Sequence, residues 1–207
     1  HIGLEWDEDL PLLIRLLNRI TEIPPATRPH FVFFSSGGTV YGSAQNNTPS
    51  HEDHVCAPIG WYGHGKLAAE NIIREFGRRH ELAYTILRVS NPYGYRVPHY
   101  KTQGIIPFLI ESAMENQVFS VWGDGSARKD FIHHSDFMRA LEAVIRQRPP
   151  GTFNLCHGES HSIQEVISIA EKVTGKRITI QHQPAHPWDV HDSLLDNGKL
   201  KSAIDWA

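Results

Sequence analysis

Phe31-Val32-Phe33-Phe34-Ser35-Ser36-Gly37-Gly38-Thr39-Val40-Tyr41-Gly42 is the stretch that decides the fold. Its first four residues are apolar without alternation, as in a strand buried on both faces of a parallel sheet, and the run stops abruptly at Ser-Ser-Gly-Gly. Downstream, Tyr62 to about Arg79 lacks proline and is rich in Lys, Leu, Ala, Glu and Ile, which predicts a helix. Ala83 to Val89 (AYTILRV) reads as the next strand. Upstream, Leu10 to Ile20 (LPLLIRLLNRI) reads as a mostly buried helix. Acidic residues from Glu5 to Asp9 precede it and Pro11 suits its first turn, while Pro24, Pro25 and Pro29 break the chain before the strand. Helix, strand, helix, strand is the alternation of a doubly wound parallel sheet.

Beyond Tyr93 the texture changes. Gly, Pro and Tyr cluster between Asn91 and Tyr100. Ile105–Met114, Phe137–Arg146 and Ser162–Val173 look helical, the last with a capping box of Ser162 and Glu165. Phe119–Trp122, Phe131–His133, Thr152–Leu155 and Ile178–Ile180 look extended. The reading is an α/β chain: a partial Rossmann-like doubly wound parallel sheet with a smaller α/β lobe, meeting near Tyr93.

Composition excludes several classes. A formal net charge of -3 gives no electrostatic case for nucleic acid or an anionic membrane. No stretch approaches the roughly 18 unbroken apolar residues that would span a bilayer. His1 to Leu10 is acidic and polar, so no cleavable leader is expected. Cys56 and Cys156 read as free thiols, which places the protein in a reducing, cytoplasmic compartment. The 14 histidines include the close pairs His51/His54, His133/His134 and His157/His161. None is joined by a Cys, Asp or Glu set at zinc-ligand spacing, so no metal site is expected.

Tyr62 and Lys66 carry chemistry. Four residues apart on a helix, they share a face. A phenol near pKa 10 is a poor base at neutral pH, and an adjacent ammonium stabilises its phenolate. Such a pair can take a proton from a hydroxyl while a hydride leaves the same carbon. Alone, Y-x-x-x-K occurs by chance on many solvated helix faces.

The order of motifs raises its weight. After the serine strand come Tyr62-Gly63-His64-Gly65-Lys66-Leu67-Ala68-Ala69-Glu70 and Leu87-Arg88-Val89-Ser90-Asn91-Pro92-Tyr93-Gly94. Trp122-Gly123-Asp124-Gly125-Ser126-Ala127-Arg128-Lys129-Asp130-Phe131-Ile132-His133, Phe153-Asn154-Leu155 and Pro187-Trp188-Asp189-Val190 follow. This ordered set, from about Phe31 to Trp206, resembles the extended short-chain dehydrogenase/reductases that act on nucleotide sugars, UDP-galactose 4-epimerase-like members most closely.

The resemblance implies NAD as cofactor and a nucleotide sugar as substrate, with Tyr62 as acid/base and Lys66 tuning it. It puts Ser35, Tyr62, Lys66 and Pro92 against the cofactor. The hydroxyl that assists the tyrosine falls at Gly37, leaving Ser36 or Thr39 to substitute. Asn91 is expected at the substrate phosphates. Lys129 takes the place of a diphosphate-gripping arginine, with Arg128 beside it able to supply a bidentate fork. A later family arginine is His186 here. Dehydratases place an Asp-Glu pair at the positions of Gly38-Thr39, and related decarboxylases a glutamate at Thr39. Without those carboxylates, epimerisation is the expected reaction: hydride removal to NAD and its return to the other face.

By the same comparison, residues 1–93 form the C-terminal part of a dinucleotide-binding domain and residues 94–207 mainly a substrate-binding lobe. The family's glycine-rich strand–turn–helix is expected upstream of His1, since Gly60, Gly63 and Gly65 lie at and inside the Tyr–Lys helix. Leu10–Ile20 and Tyr62–Arg79 correspond to helices through which family members dimerise, so a homodimer is expected. Two readings stay open: an NAD-dependent epimerase, or a truncated or diverged non-catalytic relative that binds a nucleotide sugar or a partner.

Overall fold

The computed structural model describes residues 5–44, 48–95 and 104–206. Much of the Gly/Pro/Tyr-rich segment expected before Ile105 therefore lies outside the described residues, as do His1 to Leu4. In chain order the elements are α1 (Glu5–Thr21), a short 3-10 turn (Pro25–Thr27), β1 (Phe31–Ser36), α2 (Gly37–Val40), α3 (Trp61–His80), β2 (Tyr84–Val89) and β3 (Asn91–Tyr93). There follow α4 (Ile105–Glu115), β4 (Val118–Trp122), β5 (Arg128–His133), α5 (His134–Gln147), β6 (Gly151–Leu155) and β7 (Ser160–Ser162). The chain ends through α6 (Ile163–Thr174), β8 (Thr179–Gln183), β9 (Asp192–Ser193) and α7 (Gly198–Ala203).

β1, β2 and β6 form a parallel sheet in that order, with Phe33 opposite Ile86 and Leu87 opposite Phe153. Pleating sends successive β2 side chains to opposite faces. Ile86 packs with Leu17 of α1 and Ile73 of α3, whereas Leu87 and Val89 pack with Ala140 and Val144 of α5 and Leu200 of α7. β2 is thus buried on both faces, and its near-continuous apolar run follows from that. β1 departs from expectation. Phe34 is 42% exposed, because β1 pairs with β2 alone among the described residues and Phe137 covers Phe34 from one side only.

α1 starts earlier than its apolar pattern suggests, so the acidic residues fall in its first turns and Pro11 lies inside the helix. Pro11 forfeits one backbone hydrogen bond, and Leu13, Leu17 and Ile20 hold the helix against α3 despite it.

The second lobe is built from smaller sheets. β5 lies between β3, parallel, and β7, antiparallel, and also runs parallel to β9, while β4 pairs with β8. Its core is Leu109 and Ala113 of α4, Val121 of β4 and Val166, Ile167 and Ala170 of α6. Ser162 caps α6 with the full reciprocal box to Glu165. The chain crosses between lobes more than once: after β5 it returns through α5 to add β6 to the first sheet. β3, β7 and β9 are three residues or fewer, too short to show a period in sequence.

Candidate active site

Tyr62 and Lys66 stand in the first two turns of α3 and share a face, with Lys66 Nζ 5.6 Å from the Tyr62 ring centroid. The ammonium donates to the Phe34 carbonyl at 2.9 Å, which ties α3 to β1 just before the strand ends. It also lies 5.1 Å from the ring of Phe33 and 5.7 Å from that of Trp6. Burial pushes the Lys66 pKa down, and the charge of Asp9 on α1 opposes the shift. Three glycines let α3 lie this close to its neighbours. A Cβ on Gly63 would come 2.8 Å from Pro58 Cβ and from the Thr39 carbonyl oxygen, so the turn carrying Tyr62 presses directly on α2.

The strand-end serines diverge. Ser35 points inward and donates to Glu70 Oε1 at 2.5 Å. Its hydroxyl is engaged on the α3 face. Ser36, one residue on, belongs to the opposite face by pleat and does not cap α2 with its side chain. Gly37 cannot accept a hydroxyl-bearing side chain as packed: a Cβ there would sit 2.4 Å from Leu195 Cδ1 and 2.9 Å from the Arg88 carbonyl oxygen. Thr39 Oγ1 is buried without a hydrogen-bond partner among the described residues.

Glu70 anchors the helix that bears the pair. Wholly buried, it accepts from Arg88 Nε at 3.0 Å, Arg88 Nη2 at 2.7 Å and Arg74 Nη2 at 2.5 Å. Burial alone would raise its pKa, but the hydrogen bonds and charge of Arg88, with Ser35 and Arg74, hold it below the usual carboxylate value. Arg88 Nη1 also donates to Tyr41 Oη at 2.8 Å, and that hydroxyl donates to Asn154 Oδ1 at 2.8 Å. One polar network thus ties α3, β1, β2 and β6 together. Two signals in the sequence could have found it: a charge within the apolar strand YTILRV, and a glutamate four residues after Lys66.

Asn91, Pro92 and Lys129 meet in a cavity of about 240 Å³, shared with Tyr93, Phe131 and Ile105 among others. Asn91 Nδ2 donates to the Asp130 carbonyl at 2.8 Å, and the Cβ position of Gly38 is 3.7 Å from that nitrogen. The α2 turn therefore touches the Tyr62 helix on one side and Asn91 on the other. Lys129 Nζ donates to the Val190 carbonyl, and burial lowers its pKa against the pull of Asp189 and Asp192. Arg128 is not beside it. Strand pleating turns its guanidinium away, to the Ser160 carbonyl at 2.5 Å and Glu165 at 3.3 Å, so the expected bidentate fork is engaged on β7 and α6. His186 stacks between Trp122 at 4.4 Å and Trp188 at 5.0 Å. Among the described residues no group of three metal-ligating side chains comes together. Trp6 and Asp9, which the sequence reading left in a polar lead-in, are the site neighbours it missed.

No helix among the described residues is long and apolar enough to cross a membrane. A profile of the NAD dependent epimerase/dehydratase family matches residues 4–156. A protein named putative UDP-glucose 4-epimerase from Methanocaldococcus jannaschii is 31% identical over 175 residues, covering 84% of this chain and 56% of the relative. UDP-glucose 4-epimerase of Bacillus subtilis is 28% identical over 84% of this chain and 57% of its own length. An Escherichia coli dTDP-4-dehydro-6-deoxyglucose reductase is also 28% identical, over 84% of this chain and 55% of the reductase. The chain thus spans little more than half the length of the curated relatives it matches. The crystal structure of Thermotoga maritima UDP-glucose 4-epimerase with UDP-glucose superposes with a TM-score of 0.84 at 27% identity, over 94% of this chain and 62% of that one. With its Rossmann-like sheet, its Tyr–Lys helix and these relatives in agreement, the chain belongs to the NAD dependent epimerase/dehydratase family.

Proposed function

We propose that this chain carries the acid/base and substrate-phosphate side of an NAD-dependent nucleotide-sugar epimerase. The observation that carries the reading is that Lys66 is tied to β1 near its carboxyl end, with Tyr62 on the same helix face and the α2 turn between that helix and Asn91 of the Asn91–Lys129 cavity. Ligands in open α/β sheets bind outside those strand ends.

The residues present fit the nicotinamide end of the cofactor. Lys66 uses one of its three N–H donors on the Phe34 carbonyl, leaving two for ribose hydroxyls. Pro92, in β3 just after β2 ends, is the proposed backbone contact to the nicotinamide. The described residues contain no glycine-rich strand-to-helix turn of the kind that cradles a pyrophosphate. Bound NAD supplies the acceptor and donor of hydride. Tyr62 takes and returns the proton of the sugar hydroxyl, and the Lys66 ammonium favours its phenolate. Ser36, whose hydroxyl does not cap the helix, stands in for the hydroxyl missing at Gly37. Asn91 and Lys129 orient the phosphates. Ser35, fixed by its hydrogen bond to Glu70, lies against the cofactor.

Solved relatives support the substrate class: the Thermotoga maritima enzyme holds UDP-glucose, and MoeE5, 30% identical, is described with UDP-glucose and NAD. Gly37 favours the second reading, a relative that binds a nucleotide sugar without turnover. A homodimer through α1 and α3 is part of the proposal, since Leu12 and Leu16 are 57% and 47% exposed on one face of α1. Two unpaired cysteines suit a cytoplasmic setting. Incubation of the complete protein with NAD and UDP-glucose should yield the 4-epimer without accumulation of NADH. Stoichiometric conversion of NAD to NADH in that mixture would identify a net oxidoreductase instead, and tight substrate binding with no product the non-catalytic reading.

A further inference from the structure

We infer that Trp6, in the first turns of α1, is a positioning residue for Lys66: its indole fills the hollow left by Gly65 and closes an aromatic cage around the lysine ammonium. The inference rests on the acid/base reading of Tyr62 and Lys66 given above.

The fit is one of size. A Cβ on Gly65 would lie 1.9 Å from Trp6 Cε2 and 2.0 Å from Nε1, so the indole lies directly on the α3 backbone where any side chain would displace it. Gly65 is the residue just before Lys66, which puts the indole beside both members of the pair. The Trp6 ring is 6.3 Å from that of Tyr62 and tilted 45° to it. Lys66 Nζ then has three rings around it, at 5.1 Å for Phe33, 5.6 Å for Tyr62 and 5.7 Å for Trp6, with the Phe34 carbonyl at 2.9 Å.

Each ring lies within the distance, about 6 Å, at which a π face attracts a cation. Without such faces, burial alone disfavours the ammonium, and its pull is already felt at Lys66. Lysine is also a flexible four-carbon stem, so a fixed ammonium needs walls. Trp6 is the wall contributed by a different helix. Among the described residues, the charged or titratable groups facing Lys66 are Asp9 from α1 and Tyr62 from α3; β1 offers the Phe33 ring and the Phe34 carbonyl.

The test compares Trp6→Leu, Trp6→Phe and Gly65→Ala in the complete protein. Gly65→Ala keeps every cage residue but expels the indole, so it covers the case in which Trp6→Leu fails to fold. With the ammonium loosened, Tyr62 ionises less readily. The acid limb of the kcat profile should move up by about one pH unit, equivalent to a tenfold loss at pH values below the limb. KM for the sugar nucleotide should change little, and Trp6→Phe should restore most of the loss. Independently of turnover, the NMR signal of the Lys66 ε-methylene should lose its upfield ring-current shift in Trp6→Leu. An unmoved acid limb in both Trp6→Leu and Gly65→Ala, or an unchanged methylene signal, overturns the inference. If Tyr62→Phe also leaves turnover intact, the acid/base reading itself fails; if only the Trp6 and Gly65 variants are silent, that reading stands and the positioning role alone falls.

Discussion

Replacing Arg88 by methionine isolates the contribution of the buried network to the helix that carries Tyr62. Arg88 and Glu70 are both essentially excluded from solvent, at 2% and 0% exposure. The substitution removes all three guanidinium hydrogen bonds to Glu70 and the donor to Tyr41, leaving Glu70 with Ser35 and with Arg74. Stranding one member of a buried pair typically costs about 3–5 kcal/mol. Arg74, 29% exposed at its side chain, recovers part of that, so about 3 kcal/mol is expected near neutral pH. The pH dependence is the sharper test. In the wild type the Glu70 pKa is depressed, so its contribution is present above the unfolded value of 4.5 and is lost as pH falls through the lower folded value. In Arg88→Met burial dominates and the folded pKa rises above the unfolded one, so stability is lost as pH rises through it. The penalty should therefore shrink as pH falls from neutral toward the ordinary carboxylate range. Urea unfolding followed by circular dichroism across that range measures it. A small penalty, under about 1 kcal/mol and flat with pH, would refute the assignment of Glu70 as an ionised buried anchor.

Gly37→Ser should destabilise by about 1–3 kcal/mol through overpacking against Leu195 and the Arg88 carbonyl. Adding Leu195→Ala should make room for the serine hydroxyl and raise kcat if the non-catalytic reading is wrong; thermal melts and turnover report the two effects. Leu12→Glu with Leu16→Glu should convert a dimer to a monomer in analytical ultracentrifugation while leaving the helical circular dichroism in place, since both side chains are exposed.

Elements with enough length to show a period were legible from sequence. α3 and α6 announce themselves by composition and by the Ser162–Glu165 box, and β2 by its apolar run. The pair Tyr62–Lys66 was legible because helical spacing is local. What stayed hidden depends on tertiary neighbours. The pleat of β5, not the sequence, sends Lys129 to the Asn91 cavity and Arg128 to Glu165. Ser35 and Ser36 look equivalent on paper, yet alternation gives one to Glu70 and leaves the other outside that network. Trp6 reads as one apolar residue in an acidic segment until Gly65, far away in sequence, is seen beneath it.

In the proposed function Tyr62 moves the proton in a hydride-exchange reaction. Turnover of UDP-glucose to its 4-epimer by the Tyr62→Phe variant, with NAD binding measured in parallel, tests it most directly. General acid–base catalysis is typically worth about 10²–10⁴-fold, so kcat should fall at least a hundredfold while NAD still binds. Turnover within a few-fold of the wild type would contradict the account.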